Sequence, residues 1–352
     1  MALFILRRFG VMLLTVLCLT FIVFFLTNLQ PNLEKLAKTQ GNMRMSDEQV
    51  ISWLSSRGYD RPILVRYGEW LGAVPGWTGE NADGEPTGRC RGPGLGLAEG
   101  EEPPRFCGVL QGYWGYSTVF KEPVLGIVGT RLGLTGILMF WVMVLMVPMA
   151  LLMGVLAGMR EGSRLDRSLS TVSIASTATP EYVSGVILIA VFASSAVGLK
   201  WFNGTATSAM DNVTFANFTL PVVTIALYGM GYIARMTRAS MAEVMTAQYI
   251  RTARLKGVSF ASIVVKHALR NALVPVVTVT TLLFGELLAG AVLTEQIFTI
   301  PGFGKLVVDA VFNRDYAVVQ GIVLCTGIAF IFMNILADAA YRILNPRMRD
   351  AA

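Results

Sequence analysis

Long apolar runs alternate with short polar stretches along most of this chain. Six runs are long enough to cross the roughly 30 Å hydrocarbon core of a bilayer as helices. They cover residues 9–29, 133–159, 169–199, 220–242, 273–293 and 321–344. Lysine and arginine are concentrated before the first run and in alternate short loops, so the positive-inside rule predicts that both termini are cytoplasmic. The pattern therefore predicts an all-α, polytopic membrane protein with six transmembrane helices.

Composition supports membrane insertion and excludes one class of partner. The chain is 54% hydrophobic and 15% charged, whereas ordinary soluble domains carry roughly 25% charged residues. Its net charge is +6. The basic residues are distributed among loops and do not form one face, so no nucleic-acid partner is expected. Pro180 lies inside the third run, where a transmembrane helix can tolerate it or form a kink.

The largest interruption of the apolar pattern is the polar segment 30–123. Ser46 can cap a helix over residues 46–56, because a serine before two acidic residues is typical of a helix start. A second short helix is predicted over residues 62–71. Residues 75–107 are rich in Gly, Pro and Glu without periodicity, which predicts an irregular insert.

Two of the four cysteines, Cys90 and Cys107, lie in this insert. If the insert is outside the cytoplasm, a disulfide between them is reasonable. A metal pair is disfavoured because no histidine or third cysteine is near. The only histidine of the chain is His267, so no metal site is predicted.

A basic stretch, residues 248–259, separates the fourth and fifth apolar runs. Its basic last turn suits the negative end of a helix, and Gly257 stands where a left-handed cap is wanted. Ser259 can cap a second short helix that runs to Asn271. The stretch is either a solvated loop that only fixes topology or a helix pair that a partner holds.

Motifs for nucleotide binding or catalysis are absent from the sequence. Residues 302–305 lack the upstream glycine and the following hydroxyl residue of a phosphate-binding loop. There is also no zinc-protease, serine-hydrolase or Cys-x-x-Cys motif. These absences disfavour an intramembrane enzyme. A stand-alone secondary transporter or channel remains the alternative, since such proteins bind their solute at broken helices.

Several short motifs follow one another in a specific order, with many residues between them. They are GYDRP at 58–62, GSRLDR at 162–167, RMTRASM at 235–241, YIRTARLKG at 249–257, HALRNALVP at 267–275, PGFG at 301–304, RDY at 314–316 and NPR at 345–347. Over most of its length the chain resembles the B-type permease of bacterial dipeptide and oligopeptide ABC importers. The broad importer signature begins Glu-Ala-Ala, and Arg251-Thr252-Ala253 in its place is usual in the peptide branch.

The resemblance implies a type I ABC importer permease in the bacterial inner membrane. Its partners would be a second homologous permease, two ATPase subunits, a periplasmic substrate-binding protein and the lipid bilayer. ATP and Mg would be bound by the ATPase subunits, with no cofactor in this chain and no enzymatic activity of its own. The implied organisation is a first helix (1–29), a periplasmic segment (30–123), a core permease domain (124–345) with a coupling loop (243–271), and a cytoplasmic tail (346–352).

The residues to which the resemblance assigns ATPase coupling lie in that loop. They are Tyr249, Arg251, Ala253, Arg254, Lys256, Gly257, His267 and Asn271. Ala253 is small enough for close backbone approach, and the basic residues could meet acidic residues of a partner. The insert departs from the family, so it either contacts a substrate-binding protein or is a tolerated surface insertion.

Ionisable residues at membrane depth are candidates for the translocation pathway. Glu286 could line the pathway and favour cationic solutes, or could pair with a basic residue of the partner permease. Glu181, beside Pro180, could lie in the same cavity. Asp338 is expected to pair with Arg342, one helical turn away. The sequence does not reveal which solute is transported.

Overall fold

The computed structural model describes residues 2–80, 86–95, 101–195 and 199–344, with the side chains of 2–8, 284, 286–290, 333 and 336–344 excepted. The chain divides into two compact units. The first comprises Met1–Arg131 and Val307–Ile331, and the second comprises Leu132–Leu306 and Phe332–Ala352.

The first unit contains a long helix followed by three short ones. They are α1 (Ala2–Thr27), α2 (Gln30–Gln40), α3 (Asp47–Ser55) and α4 (Ile63–Leu71). The predicted cap of α3 is confirmed, because the Ser46 hydroxyl accepts from the backbone N–H of Gln49, whose side chain accepts from the Ser46 N–H. This reciprocal pair is a capping box. Helix α2, which the sequence analysis did not predict, buries Leu33 and Leu36.

The insert contains regular structure where the sequence predicted none. Strands β1 (Thr78–Glu80) and β2 (Pro86–Gly88) pair antiparallel, so the expectation of an entirely irregular insert is wrong for these residues. Cys90 and Cys107 form a disulfide with their Cα atoms 5.5 Å apart. The cross-link ties the middle of the insert to its C-terminal end.

The second unit is helical and is built around one central helix. Its members are α5 (Val124–Gly158, beginning in the first unit), α6 (Arg164–Ala178), α7 (Glu181–Phe192), α8 (Phe215–Thr246), α9 (Gln248–Leu255), α10 (Phe260–Ser262), a π-helical turn (Ile263–Ala268) and α11 (Leu269–Ile297). Helix α8 packs against α6, α7 and α11. Phe298, Ile225 and Ile233 are fully buried in the shared core.

Small residues allow close helix packing in this unit. A Cβ added at Gly154 of α5 would lie 2.4 Å from the Cβ of Thr237 on α8, and one at Gly231 of α8 would lie 2.3 Å from the carbonyl of Ser173 on α6. Such close approach is typical of helix packing in membranes, where association depends on backbone proximity and van der Waals contact.

Two further helices, α12 (Phe303–Phe312) and α13 (Tyr316–Leu344), complete the described fold. Helix α12 begins within the PGFG motif at 301–304. Gly304 is required there, because an added Cβ would lie 2.7 Å from the Cα of Val292.

Four helices of the described chain are long and apolar enough to cross a membrane. They are Phe9–Thr27, Val124–Gly158, Phe215–Thr246 and Phe260–Leu283. Helices α6 and α7 form a fifth candidate that is bent by 102°, and Tyr316–Phe332 is a shorter apolar helix. A polytopic, mostly helical protein is thus confirmed, and the count of six remains a prediction.

The third predicted span is broken. Helix α6 ends at Ala178, Thr179 is extended (φ −86°, ψ 121°), and Pro180 precedes α7. A residue before proline is pushed out of the helical region by the proline ring, and here the chain changes direction by 102°. Of the two outcomes that the sequence left open at Pro180, tolerance within the helix or a kink, the structure shows a sharp bend between two separate helices.

Candidate functional site

The basic loop between α8 and α11 begins with α9, a short helix of about two turns. Its C-terminal end is closed by a Schellman motif. The Gly257 N–H donates to the Arg254 carbonyl (3.0 Å), and the Val258 N–H donates to the Ala253 carbonyl (3.2 Å). Gly257 has φ +75°, a left-handed conformation that favours glycine. The predicted cap is confirmed.

One face of α9 is anchored in an apolar cluster. Ile250 is fully buried there with Met241 of α8, Ile263 of the π-helical turn and Ala268. Ala253 packs half-buried against the same cluster. The small side chain of Ala253 therefore contributes to the packing of its own chain, and a larger residue would also disturb this support.

The opposite face of α9 is exposed and cationic. Arg251, Arg254 and Lys256 are all exposed, and none of them forms a salt bridge with a residue that the structure describes. Leu255 is 82% exposed beside them, and Phe260 of α10 is 50% exposed. Exposed charges around exposed large apolar side chains are features of a protein-binding surface.

Asn271 fixes the loop to the start of α11. Its side-chain amide donates to the Tyr249 hydroxyl (3.1 Å) and to the His267 carbonyl (2.9 Å). The His267 side chain is exposed, and this residue takes part through its carbonyl. Ser259 directly precedes α10 at the cap position, but its side chain makes no capping hydrogen bond. Helix α10, the π-helical turn and α11 follow without interruption, so the predicted second helix does not end at residue 271.

An ion pair that the sequence analysis did not identify lies near this loop. The Arg238 guanidinium donates from Nε to Asp166 Oδ1 (2.6 Å) and from Nη2 to Asp166 Oδ2 (2.8 Å). Asp166 is 2% exposed and also accepts from the Gly162 N–H (2.9 Å). Both residues lie in motifs noted above, which was the available signal.

The two pathway candidates differ in what the structure describes. Glu181, at the first position of α7, is partly buried and accepts a hydrogen bond from the Thr294 hydroxyl of α11. The backbone of Glu286 lies in α11, but its side chain is outside the described set, as are those of Asp338 and Arg342. A shared cavity of Glu181 and Glu286 therefore stays a prediction.

A second buried carboxylate was missed by sequence reasoning. Glu295 is fully buried and accepts from the Thr135 hydroxyl (2.5 Å) and the Lys305 N–H (2.8 Å). Thr135 in turn accepts from the Phe303 N–H (2.8 Å). The first N–H groups of a helix have no carbonyl partner within that helix. Here the Thr135 and Glu295 side chains accept from two such N–H groups in the first turn of α12. No local pattern joins residues so far apart in sequence.

Comparisons with known proteins support the family resemblance that the motifs indicate. The family model described as binding-protein-dependent transport system inner membrane component matches residues 150–350. A putative peptide permease protein of Brucella suis biovar 1 is 31% identical over 339 residues, covering 95% of this chain and 94% of its own. The probable peptide ABC transporter permease protein y4tP of Sinorhizobium fredii is 31% identical over 241 residues, 68% of this chain and 77% of its own.

A solved structure is also similar, though more distantly. It is an inward-facing conformation of the MetNI methionine ABC transporter, with 19% identity and a TM-score of 0.47 over 63% of this chain and 96% of that one. The family match covers more than half of the chain, and the Brucella relative covers nearly all of it. This chain therefore belongs to the family of inner membrane components of binding-protein-dependent transport systems.

Proposed function

We propose that this chain is one permease subunit of an ATP-driven importer for peptides or peptide-like solutes. It would form half of a translocation pathway with a homologous permease, receive solute from a periplasmic binding protein and couple to two ATPase subunits through residues 249–257. The family membership and the peptide permease names of the relatives support the transport class and the solute class. The orientation follows from the positive-inside rule, with both termini in the cytoplasm.

One observation carries the coupling proposal, namely the two-faced arrangement of α9. A buried apolar face and a Schellman cap hold the helix in place, while three cationic side chains and Leu255 face outward. A loop that only fixed topology would need the charges but not the buried support. Because exposed charges are screened over about 8 Å at physiological salt, ATPase association should weaken as ionic strength rises.

Two glycines provide a matched test. Gly257 and Gly162 have φ of +75° and +79°, and an added Cβ would meet nothing within 4 Å at either position. Valine at either site should therefore carry a similar backbone strain, of order 1–3 kcal/mol. Only Gly257 lies in the proposed docking segment.

The chain is co-expressed with the ATPase, partner permease and binding protein that the proposal requires. We expect Gly257→Val to lose co-purified ATPase and solute-stimulated ATP hydrolysis about tenfold, while Gly162→Val retains both. Normal coupling in an intact Gly257→Val assembly would overturn the docking assignment. A binding titration of the purified binding protein with di- and tripeptides then tests the solute class.

The break between α6 and α7 favours a second candidate, a stand-alone secondary transporter or channel. Such proteins bind solute at discontinuous helices, and Glu181 begins α7 directly after the break. Proteoliposomes that contain this chain alone separate the two functions. Solute uptake driven by an ion gradient, without any ATPase, would establish the second candidate and refute the first.

A further inference from the structure

A cavity of about 170 Å³ lies within the first unit, between the end of α1, helix α4 and the insert. Four arginines and one glutamate line it: Arg57, Arg61, Arg66, Arg89 and Glu69. A charged lining in so small a space is costly unless each charge has a partner.

The one carboxylate of this described lining already forms an ion pair with Arg61. Glu69 is 3% exposed, and Arg61 contacts both of its oxygens, with Nη2 at 2.7 Å from Oε2. Arg57 is exposed and stacks over the Trp53 ring at 3.9 Å. Arg66 and Arg89 remain, and neither forms a salt bridge with the residues that the structure describes. Among the described residues, the lining therefore carries more positive charge than negative charge.

Arg66 is held in place with one donor unused. It is 8% exposed and donates to the Tyr59 carbonyl (2.5 Å) and the Asn28 side chain. Its Nε has no hydrogen-bond partner among the described residues, and neither does Nε1 of Trp70, which is 3% exposed. Residues four apart on a helix share a face, and both residues line the cavity.

The insert supplies the second cation. Arg89 follows β2, and its Nε donates to the Cys107 carbonyl (3.3 Å). The disulfide from the next residue, Cys90, to Cys107 fixes this arrangement. Burial lowers the pKa of the Arg66 and Arg89 guanidinium groups, yet arginine stays protonated in proteins. Both therefore remain cations, and neither forms a salt bridge with a carboxylate among the described residues.

We propose that this cavity binds a small oxyanion, a carboxylate or a phosphate group, between Arg66, Arg89 and the Trp70 indole N–H. Guanidinium groups recognise both anions through parallel N–H donors. The volume of about 170 Å³ is roughly six times the ~30 Å³ that a water molecule occupies in liquid, which is enough for such a group. The proposal does not depend on ATPase coupling, and it gives the insert a role as one wall of a binding site.

Binding is measured by calorimetry on the full chain in phosphatidylcholine nanodiscs, with inorganic phosphate and acetate as probes. Trp70→Phe removes one donor and retains an aromatic ring, so binding should weaken about three- to tenfold. Arg89→Gln should weaken it about tenfold or more. Arg91→Gln is the matched control, because Arg91 is exposed in the same turn and does not line the cavity; it should change affinity less than about twofold.

Two results would overturn the proposal. One is the absence of binding by either probe to the wild-type chain, and the other is an equal loss in the Arg91→Gln control. Melting temperatures of the variants show whether they are folded. A second set of nanodiscs containing phosphatidylglycerol distinguishes the sources of the anion: competition with inorganic phosphate assigns the site to a lipid headgroup, and unchanged phosphate affinity assigns it to a soluble anion.

Discussion

Replacing Asp166 by asparagine removes the charge that holds Arg238 and leaves the shape of the side chain nearly unchanged. The buried carboxylate accepts two hydrogen bonds from Arg238 and one each from Gly162 and Ser170. Hydrogen bonds to charged groups contribute about 1.5–3 kcal/mol each. Since the Arg238 side chain is 31% exposed, water can replace part of what it loses. We expect Asp166→Asn to lower the free energy of unfolding by about 2 kcal/mol.

The assay is reversible unfolding of the purified chain in mixed detergent micelles, read as a double-mutant cycle with Arg238→Met. The pair should show a coupling energy of about 1–3 kcal/mol. Arg235→Met is the matched control, because Arg235 lies one turn earlier, stacks over Tyr232 at 5.1 Å and forms no salt bridge with a residue that the structure describes. Additive single-variant effects, or a loss below roughly 0.5 kcal/mol in Asp166→Asn, would refute the reasoning.

Three further predictions concern other parts of the described chain. Reduction of Cys90–Cys107, separated by 17 positions, should lower stability by about 3 kcal/mol, measured by melting with and without reductant. Burial raises the pKa of Asp315, so its contribution to stability should be complete below about pH 4 and decrease as pH rises through the raised pKa; Asp315→Asn should remove this slope. Gly304→Ala should cost about 1–3 kcal/mol by displacing α12 from the backbone of α11. Its control is Gly285→Ala, where an added Cβ meets no described atom within 4 Å; this variant should be neutral or stabilising by up to about 1 kcal/mol.

Local chemistry made some elements predictable. The capping box at Ser46 and the Gly257 cap each depend on residues within a few positions of one another, so the sequence contains the whole signal. Helix α2 also had such a signal, because Pro31 at its start and the apolar residues at 33, 36 and 37 follow helical spacing.

Distant partners and backbone breaks were not predictable in the same way. Thr135 and Glu295 are 160 positions apart, and Asp166 and Arg238 are 72 apart, so no window on one sequence joins them. Pro180 indicated a disturbance, but whether a proline kinks a helix or ends it depends on which neighbours satisfy the freed carbonyl groups. The 102° turn is therefore a property of the packed unit.

Helix α8 is the element through which the proposed docking would act on the bundle. Only Ala247 separates it from α9, so the two helices are joined by a single extended residue. The hydrogen bond from Asn271 to Tyr249 ties α9 to α11, and the Ser240 hydroxyl donates to the Ala272 carbonyl at 3.0 Å, tying α8 to α11. A displacement of α9 cannot be absorbed by a flexible connection while these contacts hold. The buried contacts of this region thus favour rigid transmission into α8 and α11 over movement of the loop alone.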